Sequence, residues 1–438
     1  MENNKPSKGK LSAIICMGLA LFATEFGAGN LIFPPFLGRN TGTEWFTGFI
    51  GFFIMDAGLA AAAVYSVVAN RRGGIDGVVG KIGRVPGKIM LTVIILCIGP
   101  CVAIPRTAAT TYEMGISTLV PQLPQWLFSA IFFGIVALFV IRPTKVVDII
   151  GNYLTPVLLT VMVTLIIIGI VNPAGAPIVV HNTAPMHEGI LNGYQTMDGM
   201  AGVLMALMLV TAAQGYGFTK GKGVRKAVAI ADIIAAVLLG LVYGGLTYLG
   251  ATVSALPEFA GLKQAPLMIA ITNKLLGGYG VIALAIIVLM ACLTTAIGLS
   301  SVAGNYFEEL TNGKLKYKQV AIAVIGVSFV MSNFGLSKII SIAAPILNVL
   351  YPPLIVLVVM ALFARKITND RGTGVATYAA LLTSVSGAFG IVDTSVLPFA
   401  SNGLEWIIPA VIGGVIGAIA GKVLDRSKVE RIPDRQCA

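Results

Sequence analysis

FGAGNLIFPP, residues 26–35, interrupts the first apolar stretch of the chain. Two glycines, an asparagine and two prolines in ten residues are poor material for a continuous helix. Glycine is costly in a helix interior, and proline removes a backbone donor and clashes with the preceding turn. The surrounding apolar segment, residues 11–36, is nevertheless long enough to cross a bilayer. The reading is a membrane helix broken near its middle. A second interruption, Asp198-Gly199-Met200-Ala201-Gly202, falls within the apolar segment 190–217. A single glycine in a membrane helix is usually a close-packing position. The cluster at Gly27 and Gly29 exceeds what packing requires.

The chain around these breaks has 438 residues, 56% of them hydrophobic and 11% charged, whereas a soluble domain carries about a quarter charged residues. Segments able to span a bilayer recur from end to end, at 11–36, 45–69, 88–118, 125–141, 147–171, 190–217, 225–252, 279–307, 319–335, 340–364, 374–396 and 405–424. Backbone groups facing hydrocarbon must pair within their own segment, so these twelve spans are expected to be helices. The short alternating strands of a membrane barrel are absent from the pattern. The basic start at Lys5, Lys8 and Lys10 would suit a signal peptide, but eleven further spans favour a retained first helix.

The net charge of +11 does not point to nucleic acid, because of where it lies. Of the 30 Lys and Arg, 25 fall in alternate connections, from the N-terminus through Arg71 to Lys88 and on to Lys422 to Arg435. The positive-inside rule then puts both termini in the cytoplasm and requires an even number of crossings. Two connections on the other side are long, 172–189 and 253–278. The second holds a helical-looking piece, Pro266 to Leu276, read either as a lid over the outer vestibule or as a passive ordered loop. Cys16, Cys97, Cys101, Cys292 and Cys437 show no metal-ligand spacing and are read as structural or incidental.

Five spans separate one break from the other, and an odd number of crossings reverses orientation, so spans 1–5 and 6–10 are candidates for inverted repeats. Interrupted helices at matching positions of two halves mark transporter binding sites. The expected organisation is a first five-helix repeat over 1–171, an outer loop at 172–189, a second inverted five-helix repeat over 190–364, and two additional helices with a cytoplasmic tail over 365–438.

The stretch Phe26 to Pro35 also resembles the bacterial branched-chain amino acid carrier family, cation symporters for leucine, isoleucine and valine. The resemblance continues in order through GPCVAIPRTA (Gly99 to Ala108), NGYQTMDG (Asn192 to Gly199), ACLTTAIGL (Ala291 to Leu299), SNFGLS (Ser332 to Ser337) and YPP (Tyr351 to Pro353), and covers nearly the whole chain. It implies membership of the wider amino acid–polyamine–cation superfamily. The fold implied is all-α and membrane-integral: a leucine-transporter-like five-plus-five inverted repeat with helices 1 and 6 broken, followed by two more helices. Where the family pattern usually has an apolar residue, this sequence has Glu25. A carboxylate there is a candidate for ion coupling.

An interrupted helix offers free amides at one half-helix end and free carbonyls at the other. The substrate carboxylate is therefore expected against the backbone amides of Gly27, Ala28 and Gly29, and the ammonium near the break carbonyls with Asp198 or Thr196. Arg106 is a further candidate for holding the carboxylate or gating the vestibule, or else a partner of an internal acid such as Asp56 or Glu113. From the resemblance, sodium ligands are the carbonyls of Ala23, Phe26 and Ala291 and the hydroxyls of Thr294 and Thr295, with Asn30 a candidate for a second cation site. Asp148 and Asp232 are expected near cytoplasmic ends, solvated or capping. Val102, Ile104, Met200, Leu204 and Ile297 are among many candidates for an aliphatic pocket.

The function expected is secondary active transport into the cell by alternating access, with sodium as coupling ion and a proton as the alternative. An ion channel and a polytopic membrane enzyme are the competing classes. The enzyme is disfavoured, since the two histidines, His181 and His187, fall in an outer loop and no hydrolase, zinc or nucleotide motif is present. The expected partners are the amino acid and the lipid of the inner membrane, with no nucleic acid and no cofactor beyond the ion.

Overall fold

The chain's long segments are predominantly apolar, and in hydrocarbon such segments close their hydrogen bonds only as helices. The computed structural model describes residues 7–69, 74–141, 155–181, 184–219, 221–363 and 370–429. Every regular element among them is helical. Asp148 and Cys437 lie outside the described residues.

The first break divides α1 (Ser7–Glu25) from α2 (Ala28–Thr41). The chain returns through α3 (Trp45–Phe53) and α4 (Leu59–Ala69), joined by a wide π-turn at Ile54–Gly58. Next come α5 (Arg84–Leu96) and α6 (Ala103–Thr111), separated by a second π-turn at Cys97–Cys101. There Pro100 cannot donate a helical bond and Gly99 leaves helical geometry, at φ −90° and ψ −118°. Then follow α7 (Gln125–Val140) and α8 (Thr155–Val171). The second break divides α9 (Pro185–Thr196) from α10 (Asp198–Gly215). The remaining helices are α11 (Lys222–Thr252), α12 (Gln264–Leu276), α13 (Gly278–Leu310), α14 (Tyr317–Ser332), α15 (Leu336–Leu362), α16 (Asp370–Ala388) and α17 (Ile407–Val429). Among the described residues six helical stretches are long and apolar enough to cross a membrane, and four more apolar helices are shorter.

Boundaries shift at the polar edges. The connection expected over 172–189 ends early, because Pro185 opens α9 at the first position of a helix, where its missing N–H costs nothing. The helix read as Pro266 to Leu276 starts at Gln264, and it packs on α2 and α13. Arg39 of α2 anchors the turn before it, donating to the carbonyls of Phe259 at 3.0 Å and Leu262 at 2.6 Å.

The outer surface carries large apolar side chains such as Leu138, Leu241 and Ile416, which suit a hydrocarbon solvent. Glu25, Asp56, Arg106, Asp198 and Asp232 lie inside instead. α1 packs on α11 and α13, α2 on α11, α9 on α3, and α10 on α4, so both breaks reach the middle of the helix assembly.

Candidate functional site

At the first break the amide of Phe26 still closes the last turn of α1, donating to Phe22 at 2.7 Å. Gly27 is extended, with φ −114° and ψ −159°, and α2 begins at Ala28. The amides of Ala28 and Gly29 lie in the first turn of α2, where no carbonyl of the same helix precedes them. The Gly27 amide differs from expectation: it donates to Asn30 Oδ1 at 3.1 Å and is not free for a ligand. Side chains at the glycines are excluded by their neighbours. A β-carbon on Gly27 would lie 2.8 Å from Thr295 Oγ1, and one on Gly29 would lie 2.8 Å from Arg106 Nη2.

The second break is a single residue, Met197, held in the left-handed region at φ 73° and ψ 8°. A non-glycine residue there is uncommon and strained. The breaks adjoin, since the same β-carbon on Gly29 would lie 3.2 Å from the Thr196 Cα. Arg106 sits between them, 3% exposed, and donates to the carbonyls of Gln195 at 2.5 Å and Thr196 at 3.1 Å. It therefore caps the negative end of α9. Neither Asp56 nor Glu113 is its ion-pair partner, as the two alternatives at sequence level would have had it. Glu113 instead accepts the amide of Leu336 at 3.2 Å, at the start of α15.

Asn30 ties the two breaks to the second span. Its Nδ2 lies 2.5 Å from Asp198 Oδ2, 2.5 Å from the Tyr243 hydroxyl and 3.2 Å from Asp56 Oδ2. Thr196 Oγ1 lies 3.1 Å from the other oxygen of Asp56 and 2.6 Å from the Gly193 carbonyl. The π-turn at Ile54–Gly58 carries Asp56 in this arrangement, a device often found at functional positions in helices. Glu25, 3% exposed, has Oε1 buried without a hydrogen-bond partner. No Lys, Arg or His among the described residues forms an ion pair with Glu25, Asp56 or Asp198. Asp232 departs from expectation: it is only 6% exposed, within α11, because α1 packs on that helix.

Close by, Thr294 of α13 reaches across to α1. Its Oγ1 is 2.5 Å from the Ala23 carbonyl and 2.8 Å from that of Ala291. Thr295 Oγ1 donates to Thr24, at 2.8 Å, rather than joining the same oxygens. Phe26 is buried beside them. Intramembrane threonines commonly bond only their own helix, so the contacts to α1 mark this pair as different. Hydroxyl and carbonyl oxygens are the hard donors that suit an alkali cation.

A cavity of about 20 Å³ lies among these groups, lined by Glu25, Gly27, Asn30, Arg106, Thr196 and Asp198 on its polar side. That is room for a water or two, so the walls must part to admit an amino acid. The apolar side is Ile98, Ala103, Met197, Ala201 and Leu299. None of the five pocket candidates at sequence level is among the lining; Val102, Ile104, Met200, Leu204 and Ile297 are buried between helices. Tyr243 had no local signal at all, and Asp56 only that of being a carboxylate inside a span.

Comparison with known proteins identifies the lineage. The model of the family described as branched-chain amino acid transport protein matches residues 10–424. The chain belongs to that family. This transporter is 34% identical over 433 residues to the branched-chain amino acid permease BraB of Bacillus subtilis, covering 94% of this chain and 96% of that one. It is 33% identical over 432 residues to the branched-chain amino acid permease BrnQ of Escherichia coli K12, covering 94% and 96%. Among solved structures, the transporter resembles Mhp1, a nucleobase-cation-symport-1 family transporter in a closed conformation with bromovinylhydantoin bound, with a TM-score of 0.60, 14% identity, and coverage of 95% of this chain and 93% of that one. It also resembles MhsT in complex with L-phenylalanine, with a TM-score of 0.50, 16% identity and coverage of 93% and 98%. At such identities the likeness speaks for the fold. The transporter is thus a multi-pass membrane protein whose named relatives are permeases rather than enzymes.

Proposed function

We propose that the protein carries leucine, isoleucine and valine into the cell by sodium-coupled symport, working by alternating access in the inner membrane with both termini cytoplasmic. The substrate carboxylate is held by the free amides of Ala28 and Gly29 at the positive end of α2, with the Arg106 guanidinium alongside. The ammonium is held by Asp198 with Thr196, and the side chain lies toward the apolar wall. Sodium is bound by the carbonyls of Ala23, Phe26 and Ala291 and the hydroxyls of Thr294 and Thr295. One observation carries the coupling: Thr294 of α13 lies 2.5 Å from the Ala23 carbonyl at the end of α1. A cation bound there would bridge two helices at the very break that the substrate occupies, so ion and amino acid would each favour the same arrangement.

A proton as coupling ion is favoured by a different observation, the buried Glu25 carboxylate whose Oε1 has no hydrogen-bond partner. Buried carboxylates without cationic partners are costly, several kcal/mol apiece. Such a site calls for cations. Uptake of radiolabelled leucine into proteoliposomes, with sodium and proton gradients imposed separately, tests the reading. Sodium-driven accumulation is expected; accumulation driven by neither gradient would refute symport.

A further inference from the structure

We infer that Ala201 and Leu299 set the size of aliphatic side chain the carrier accepts, Ala201 by leaving space and Leu299 by closing it; this rests on the amino acid transport reading above. Both residues line the cavity that also contains Arg106 and Asp198. Ala201 stands three residues after Asp198 in the first turns of α10. That spacing puts the two on one helix face, so a substrate held at Asp198 by its ammonium has Ala201 beside its side chain. Ala103 bears the same relation to Arg106 at the start of α6, three residues before it. On the apolar side of the cavity, the helix carrying each polar anchor thus presents only an alanine methyl group.

Leu299 faces this pair from α13, and Ile98 and Met197 complete the apolar wall. Of these, Ile98 precedes the Gly99-Pro100 kink and Met197 is the break itself, so both belong to segments whose backbone geometry is irregular. Ala201 and Leu299 lie inside regular helices and are 4% and 5% exposed. Rigid walls discriminate by size; irregular ones adapt. A hydrophobic pocket separates substrates differing by one methylene by roughly 10- to 200-fold, so a change of wall volume should reorder substrates rather than weaken all of them alike.

The experiment measures inhibition of radiolabelled valine uptake by alanine, valine, leucine, isoleucine and methionine in proteoliposomes of wild type, Ala201→Val and Leu299→Ala. Ala201→Val is expected to raise the half-inhibitory ratio of leucine to alanine about tenfold or more. Leu299→Ala is expected to shift the ranking in the opposite sense, improving methionine relative to valine. The two variants change volume with opposite signs, so a general packing defect, which would weaken every ligand in both, cannot mimic the result. Monodisperse elution of each variant shows that it is folded. An unaltered ranking in both variants, with normal wild-type uptake, overturns the pocket assignment alone. No uptake of leucine, isoleucine or valine by the wild-type protein overturns the transport reading instead.

Discussion

Asn30 touches both breaks and the second span with one side chain, accepting the Gly27 amide on Oδ1 while Nδ2 faces Asp198, Asp56 and Tyr243. A neutral amide there orients two carboxylates without neutralising them, so the site keeps its demand for cations. The demand can be tested by removing the proposed oxygen donors. Thr294→Ala with Thr295→Ala removes two hydroxyls that contact α1 and leaves the apolar wall intact. The sodium concentration for half-maximal leucine uptake is expected to rise about tenfold or more, equivalent to about 1.4 kcal/mol of lost ion binding. Unchanged sodium dependence in folded protein removes these residues from the ion site. Glu25 lines the same cavity as Thr295, but its buried Oε1 has no hydrogen-bond partner. For that reason Glu25→Gln is expected to flatten the pH profile of leucine uptake while leaving the half-saturating sodium concentration near its wild-type value. Parallel titrations against pH and sodium measure both. A weakened sodium response at every pH would make Glu25 a cation ligand.

At the scale of elements, each irregular turn brings one functional group inward. The π-turn at Ile54–Gly58 carries Asp56, the kink at Gly99 and Pro100 precedes the helix bearing Arg106, and the one-residue break at Met197 exposes the carbonyls that Arg106 caps. The first break is legible in the sequence because glycine, proline and asparagine crowd it, and the second because two glycines and an aspartate stand inside an apolar span. Sequence reading placed the second break over Asp198 to Gly202, however, and the chain breaks at Met197. A left-handed methionine has no compositional signature; it persists because helices on both sides are packed and leave the backbone no alternative. Met197→Ile should therefore cost about 1–3 kcal/mol, since a β-branched residue fits that conformation poorly. The measurement is the thermal midpoint of purified protein in detergent: lower for Met197→Ile, at or above wild type for Met197→Gly. The reverse order would mean that the break is not held left-handed in solution.

Over the whole molecule, the charges are sorted as a membrane requires, with apolar side chains outside and carboxylates and an arginine at the centre. The central cavity of about 20 Å³ is too small for an amino acid. On the proposed carrier reading, substrate passage needs rearrangement of packed helices. Leucine preloaded inside proteoliposomes is expected to accelerate entry of labelled leucine. Leucine-independent ion current with no such acceleration would favour a channel.

The sequence by itself determined that the chain is helical and membrane-spanning, that its first and sixth spans are interrupted, and which family it belongs to. Those properties depend on composition, on span length and on contiguous motifs, all of which are local. It also named Gly29, Arg106, Thr196, Asp198, Thr294 and Thr295, because a charge, a glycine cluster or a pair of threonines inside a span is conspicuous on its own. Only the tertiary structure decided which of these meet. Arg106 turned to the carbonyls of Gln195 and Thr196 rather than to an acid, the Gly27 amide went to Asn30, and Tyr243 came to the centre from 213 positions away. The apolar wall shows the limit most sharply: Val102, Ile104 and Met200, among many candidates the sequence offers, are each adjacent to a residue that lines the central cavity, Ala103 or Ala201. A helix turns by about 100° per residue, so a shift of one position points a side chain to another neighbour. That phase is set by how helices distant in sequence pack together.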